Sequence, residues 1–91
     1  MYSIILMNRN QRIYSILEEK LPNFEIRIKD TSSSHAGHNN FDGLGETHIL
    51  ITLQAKIKMN INRIKIHRLI NDNIKKEFEN GLHSVEIKIN P

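Results

Sequence analysis

Three segments of the chain alternate between apolar and polar positions, as strands that bury one face do. They cover residues 24–29, 47–55 and 83–89. Every second side chain in each segment should therefore point into a core, and the side chains between should point into water. The predicted inward set is Phe24, Ile26, Ile28, Ile49, Ile51, Leu53, His83, Val85, Ile87 and Ile89.

Two further segments repeat apolar residues every three or four positions, which is typical of amphipathic helices. In the first, Asn8 is suited to cap the helix with Gln11 reaching back to it, and Pro22 ends the helix. The second covers residues 61–80 and stops at a glycine. Residues 56–60 allow a separate helical turn. The predicted inward residues of the two helices are Ile13, Leu17, Leu21, Ile64, Ile66, Leu69, Ile70, Ile74 and Phe78.

The order of these elements predicts an α+β fold of the form α-β-β-α(-α)-β. The first two strands share one loop and should pair antiparallel. The strand–helix–strand passage that follows favours a parallel, right-handed crossover. A three-stranded mixed sheet results, with the helices on one face and charged side chains on the other. A chain of this length predicts one domain, covering residues 1–91.

Composition narrows the chemistry that the chain can perform. The absence of cysteine excludes disulfides, a thiol nucleophile and a thiolate metal site owned by the chain alone. It fits a reducing compartment, and we expect a cytoplasmic protein without a signal peptide or membrane span. No paired carboxylates, activated serine or phosphate-binding glycine loop stand at recognisable spacing, so we expect no catalytic site and no enzymatic activity.

Residues 31–46 lack periodicity and predict a loop that is long for a small domain, which favours a function for it. His35 and His38 fall in this loop. From the pattern alone, His35 is a solvated loop residue and His83 is a half-buried histidine bonded to a helix end. His48 orients the base of the loop or faces water. The three histidines at 35, 38 and 48 also form a loose zinc pattern, which lacks the helical spacing and glutamate of a zinc hydrolase.

Three motifs together resemble the BolA-like family. They are D-x-S-x-x-H-A-G-H at residues 30–38, E-T-H at 46–48 and G-x-H-S-V at 81–85. The similarity in order extends over residues 13–89. It implies a type II KH-like fold, which is the same arrangement of elements that the hydrophobic pattern predicts.

The chain departs from the family pattern at two places. Ile66 precedes His67 where the family more often has an arginine, and we interpret His67 as a surface or partner-contact residue. Lys58 and Asn60 occupy the positions of an aromatic residue and a glycine after the second strand. The second departure puts in doubt any function of that turn, but it does not affect the histidines.

The resemblance implies a non-catalytic adaptor in iron-sulfur cluster handling. Such a protein binds a monothiol glutaredoxin and shares a [2Fe-2S] cluster with it. His83 and His35 are the ligands that the resemblance implies, with His38 as the substitute for His35. Two imidazoles fill two of four ligand positions, so the thiolates come from the glutaredoxin and glutathione. We therefore expect the free chain to be a monomer that holds no cluster.

The alternative function is a DNA-binding transcriptional regulator. Its candidate surface is the polar side of the main helix, which carries Arg63, Lys65, Arg68, Lys75 and Lys76. Asp72 and Glu77 interrupt this surface. The G-x-x-G loop of RNA-binding KH domains is missing, and a solvated helix face explains the charges equally well.

Overall fold

The computed structural model of the protein describes residues 7–32 and 47–91. Its helices are α1 (Arg9–Lys20), α2 (Arg63–Asn73) and α3 (Lys75–Glu79), and its strands are β1 (Phe24–Asp30), β2 (His48–Ala55) and β3 (Ser84–Asn90). β2 lies between the other two strands, antiparallel to β1 and parallel to β3. This mixed three-stranded sheet with helices confirms the α+β prediction. None of the helices in these residues combines the length and hydropathy that a bilayer-spanning segment requires.

The start of α1 follows from its cap. The backbone N–H of Gln11 donates to Asn8 Oδ1 at 2.9 Å, and the backbone N–H of Asn8 donates to Gln11 Oε1 at 3.0 Å. The predicted capping box is thereby confirmed. At the other end, the N–H of Leu21 still bonds to the carbonyl of Leu17 at 2.8 Å, and Pro22 cannot extend the helix.

The register of the strands brings their apolar residues to one face. Ile26 lies opposite Leu53, which in turn lies opposite Ile89 in β3. Ile28, Ile51 and Ile87 form the next row, and α1 and α2 contribute further apolar side chains to the core. The core consists of Ile13, Leu17, Leu21, Phe24, Ile26, Ile49, Ile51, Leu53, Ile66, Ile70, Ile74, Leu82 and Ile89. The charged residues of β1 and β3 are exposed, as the alternation predicts.

The second predicted helix is divided at Ile74, whose backbone angles (φ −114°, ψ 17°) depart from helical values. This break changes which side chains of α3 point inward. Phe78 is 38% exposed, whereas Glu77 is only 7% exposed. The prediction that Phe78 faces the core is therefore wrong, because its spacing from Ile74 holds only in an unbroken helix. Ile64, 68% exposed, is also wrongly predicted.

Residues 56–60 form a bend followed by irregular chain, so the predicted helical turn at this place is wrong. The N–H of Lys56 bonds instead to the carbonyl of Asn23 at 2.9 Å, which continues the β1–β2 ladder by one step. α2 begins only after Asn62, whose side chain accepts from the N–H of Lys65 at 3.1 Å. The additional helix of the fold is α3, not this turn.

The buried carboxylate of Glu77 is neutralised by two arginines of α1. Arg9 Nε lies 3.0 Å from Glu77 Oε1, and Arg12 donates to both carboxylate oxygens at 2.8 Å. Arg9 also donates from Nη2 to the carbonyl of Asn80 at 2.6 Å. Gly81 follows with φ +111°, a conformation that side chains rarely adopt. The arginines therefore hold α3 and the turn that leads into β3.

Candidate metal-binding site at one end of the sheet

The parallel strands β2 and β3 start at the same edge of the sheet, with His48 opposite Ser84. The residues immediately before them, Thr47 and His83, therefore meet. The carbonyl of Thr47 accepts the backbone N–H of His83 at 2.7 Å and that of Ser84 at 3.1 Å. These bonds fix the backbone of His83 to the start of the central strand.

The side chain of His83 is exposed. The residue before it, Leu82, is buried and bonds through its N–H to the carbonyl of Glu77 at 2.9 Å. β3 begins at Ser84, so His83 precedes the strand rather than belonging to it. The interpretation of His83 as half-buried is therefore wrong. An exposed imidazole on an anchored backbone is accessible to a partner.

His48, in contrast to His83, is buried and only 7% exposed. The prediction that it faces water is therefore wrong. Its backbone N–H donates to the hydroxyl of Ser32 at 3.0 Å, and its carbonyl accepts the N–H of Thr31 at 2.9 Å. These bonds agree with the other prediction for His48, namely that it orients the base of the segment between β1 and β2.

The rings of His48 and His83 come close together. Their centroids lie 6.0 Å apart, with an angle of 35° between the ring planes. Thr47 Oγ1 lies 3.0 Å from Nδ1 of His48. Sequence reasoning missed this pair, because strict alternation assigns the two residues to opposite faces of the sheet.

Ser32 closes the base of this site and is 1% exposed. Its hydroxyl oxygen accepts the N–H of Thr47 at 2.9 Å as well as that of His48. The N–H of Ser32 in turn donates to Asp30 Oδ1 at 2.9 Å, a local turn that its position two residues after an aspartate favours. Ser32 therefore ties the end of β1 to the start of β2.

We expect Ser32→Ala to lower the free energy of unfolding by about 2–6 kcal/mol, because the N–H groups of Thr47 and His48 lose their acceptor and each loss costs about 1–3 kcal/mol. Urea denaturation followed by circular dichroism measures this change. Ser84→Ala is the matched control, since Ser84 is exposed at the same sheet edge and should change stability by about 0.5 kcal/mol or less. Equal effects of the two substitutions would contradict the role assigned to Ser32.

Comparison with known proteins identifies the family. Residues 17–91 match the family described as BolA-like protein. The chain belongs to the BolA-like family. This result confirms the resemblance carried by the three histidine motifs.

The relatives of this BolA-like chain include two Arabidopsis thaliana proteins. It is 34% identical to Protein BOLA1, chloroplastic, over 88% of this chain and 51% of that protein. It is 34% identical to SufE-like protein 1, chloroplastic/mitochondrial, over 92% of this chain and 24% of that protein. The UV-induced protein uvi31 of Schizosaccharomyces pombe is 32% identical, over 89% and 82%. The chain thus spans about half of the first relative and a quarter of the second.

Solved structures agree with this assignment. The BolA domain of SufE1 from Arabidopsis thaliana superposes with a TM-score of 0.72 at 34% identity, covering 93% of both chains. BolA1 from Arabidopsis thaliana also gives a TM-score of 0.72, at 32% identity and the same coverage. The fold of the BolA-like chain is therefore that of BolA domains.

The structure describes one of the three predicted metal ligands. His83 lies at the sheet edge, whereas His35 and His38 lie outside the described residues. His67 is exposed on α2, as predicted, and belongs to a different element from the site. Within the residues that the structure describes, no three side chains of histidine, cysteine, aspartate or glutamate are arranged to hold a metal ion.

The predicted basic surface of the helix is partly engaged in the fold. Arg63 Nη1 donates to the carbonyl of Ile89 at 2.9 Å and so joins α2 to β3. Lys75 Nζ lies 3.7 Å from Asp72 Oδ1. The remaining residues of the set, all exposed, are Lys65, Arg68 and Lys76. These contacts give no added support to nucleic-acid binding, which stays an untested prediction.

Proposed function

We propose that this BolA-like chain is a non-catalytic adaptor in iron-sulfur cluster handling. It binds a monothiol glutaredoxin and shares a [2Fe-2S] cluster with it. The observation that carries the proposal is the position of His83, whose exposed side chain is mounted on a backbone held by Thr47. Fixing the backbone of one residue costs about 1–2 kcal/mol, and here the fold has already fixed it.

The histidines of the chain can supply the ligands of one iron atom of such a cluster. Imidazole is an established ligand of [2Fe-2S] iron, and two histidines can replace two thiolates on one iron atom. The chain has five histidines and no cysteine, so the thiolates must come from the glutaredoxin and from glutathione. The cluster is therefore cargo held between two proteins.

His35 is the second ligand of the proposal, with His38 as its substitute. Both lie outside the described residues, and the support for His35 comes from the residues around it in sequence. His35 follows Ser32 by three residues, a tether that spans at most about 11 Å. Ser32 and His83 both bond to the backbone of Thr47. The segment that leads to His35 therefore starts at Ser32, close to the backbone of His83.

The direct test is to combine the chain with a monothiol glutaredoxin, iron, sulfide and glutathione, and to separate the products by gel filtration. We expect a coloured complex that contains one copy of each protein and has the electron paramagnetic resonance signature of histidine-ligated iron. The glutaredoxin alone and the chain alone are the controls. Separate elution of the two proteins, with colour and spectrum unchanged from glutaredoxin alone, would contradict the proposal.

A further inference from the structure

We propose that His48 and His83 form a binding site for a single divalent first-row metal ion on this chain, with Zn²⁺ as the probe. An imidazole nitrogen lies about 2.0–2.1 Å from bound zinc, which puts the ring centre roughly 3.2 Å from the metal. Two rings on one tetrahedral ion therefore have centres about 5.2 Å apart. The observed separation of 6.0 Å exceeds this by about 0.8 Å, a difference that a small rotation of the exposed His83 side chain closes.

The hydroxyl of Thr47 can hold His48 in the form that binds a metal through Nε2. Metal-binding histidines usually donate the N–H of their other ring nitrogen to an oxygen atom, which fixes the tautomer. Thr47 Oγ1 lies 3.0 Å from Nδ1 of His48 and can accept such a bond. In this tautomer the lone pair of His48 is on Nε2.

The backbone presents both ligands in fixed positions. His48 is bonded to Ser32 through its N–H and to Thr31 through its carbonyl, and His83 is bonded to Thr47. Little ordering is therefore needed when an ion arrives. Among the described residues, no third histidine, cysteine, aspartate or glutamate joins the pair.

This site is distinct from the shared cluster, although His83 belongs to both. The shared cluster is proposed to take its second ligand from His35 or His38, whereas the zinc site uses His48, which is only 7% exposed. The test uses Zn²⁺ and the chain alone, and it therefore does not depend on the glutaredoxin proposal. Failure to form the mixed cluster would not contradict zinc binding by the chain. Failure to bind zinc would not contradict the mixed cluster.

The experiment is a Zn²⁺ titration of the full chain carrying His35→Ala and His38→Ala, which removes the two other neighbouring imidazoles in the sequence. Calorimetry measures the affinity, and nuclear magnetic resonance follows the ring protons of His48, His67 and His83. We expect the ring protons of His48 and His83 to shift together at one equivalent. The ring protons of His67, on α2, should stay unchanged.

Substitutions in the same background separate ligation from packing. Losing a partner that only orients a ligand costs about 10- to 100-fold in metal affinity, so His48→Asn and His83→Asn should each cost about 100-fold or more. Asparagine at position 48 can keep the bond to Thr47. His67→Asn is the matched control and should leave the affinity unchanged.

Variants at Thr47 test the tautomer argument. Thr47→Val should weaken Zn²⁺ binding about 10-fold, whereas Thr47→Ser keeps the hydroxyl and should restore it. Circular dichroism with a chelator present checks that each variant folds. If the two rings form only an aromatic packing pair, their protons will not respond to Zn²⁺ and the asparagine variants will bind like the background protein. Either result would overturn the proposal, and the proton measurement needs no substitution at His48 or His83.

Discussion

Replacing His83 by alanine is expected to abolish the mixed cluster complex with a monothiol glutaredoxin, whereas His35→Ala should weaken it or alter its spectrum. His83 is the exposed imidazole at the sheet edge, and the neighbouring ring of His48 is too buried to replace it toward a partner. His35 has a substitute in His38, three positions away in the sequence. His83→Ala should therefore reduce cluster retention more than His35→Ala does.

Cluster retention after gel filtration with glutaredoxin and glutathione measures both effects. His67→Ala is the matched control, because His67 is also exposed but lies on α2. It should retain the cluster like the parent protein. Circular dichroism confirms that each variant remains folded. Normal cluster binding by His83→Ala would show that the proposed ligand assignment is wrong.

Glu77→Gln is expected to lower the free energy of unfolding by about 3 kcal/mol, a large share of the roughly 5–10 kcal/mol available to a domain of this size. Glutamine keeps the shape of the side chain but removes the negative charge that Arg9 and Arg12 contact. The Arg9 side chain is 8% exposed, so water does not compensate its charge. Urea denaturation at neutral pH measures the loss. Glu79→Gln, an exposed position on the same helix, is the control and should change little.

The same carboxylate makes stability depend on pH in the acidic range. Hydrogen bonds from Arg12, and then from Arg9, lower the pKa of Glu77 below its ordinary value of 4.5, although burial opposes this shift. Because the folded-state pKa is the lower one, the carboxylate stabilises the fold fully above the ordinary value. This contribution is lost as the pH falls through the lowered pKa of the folded state.

Comparison of unfolding free energies at neutral and acidic pH tests this dependence. The parent protein should lose more stability on acidification than Glu77→Gln, because the variant no longer has this titrating group. Glu79→Gln should behave like the parent. If Glu77→Gln and the parent lose the same free energy between the two pH values, Glu77 does not contribute to the acid dependence.

The sequence by itself determined those features that depend on neighbouring residues. Alternation identified all three strands, and the buried faces of β1 and β2 follow it because successive strand side chains point to opposite sides. The capping box of Asn8 and Gln11 depends on residues three positions apart, and it was predicted correctly. The family motifs likewise contain short runs of consecutive residues, and residues 17–91 match the family.

The tertiary structure alone decided the features that depend on distant residues. Glu77 is buried because Arg9, 68 positions earlier, neutralises its charge. The spacing of apolar residues along a helix cannot predict a partner so far away in the sequence. The break at Ile74 then turns Phe78 outward against its predicted phase. His48 is buried and approaches His83, although alternation assigns the two residues to different faces. Periodicity describes the faces of one element, whereas the ends of elements are arranged by contacts between them.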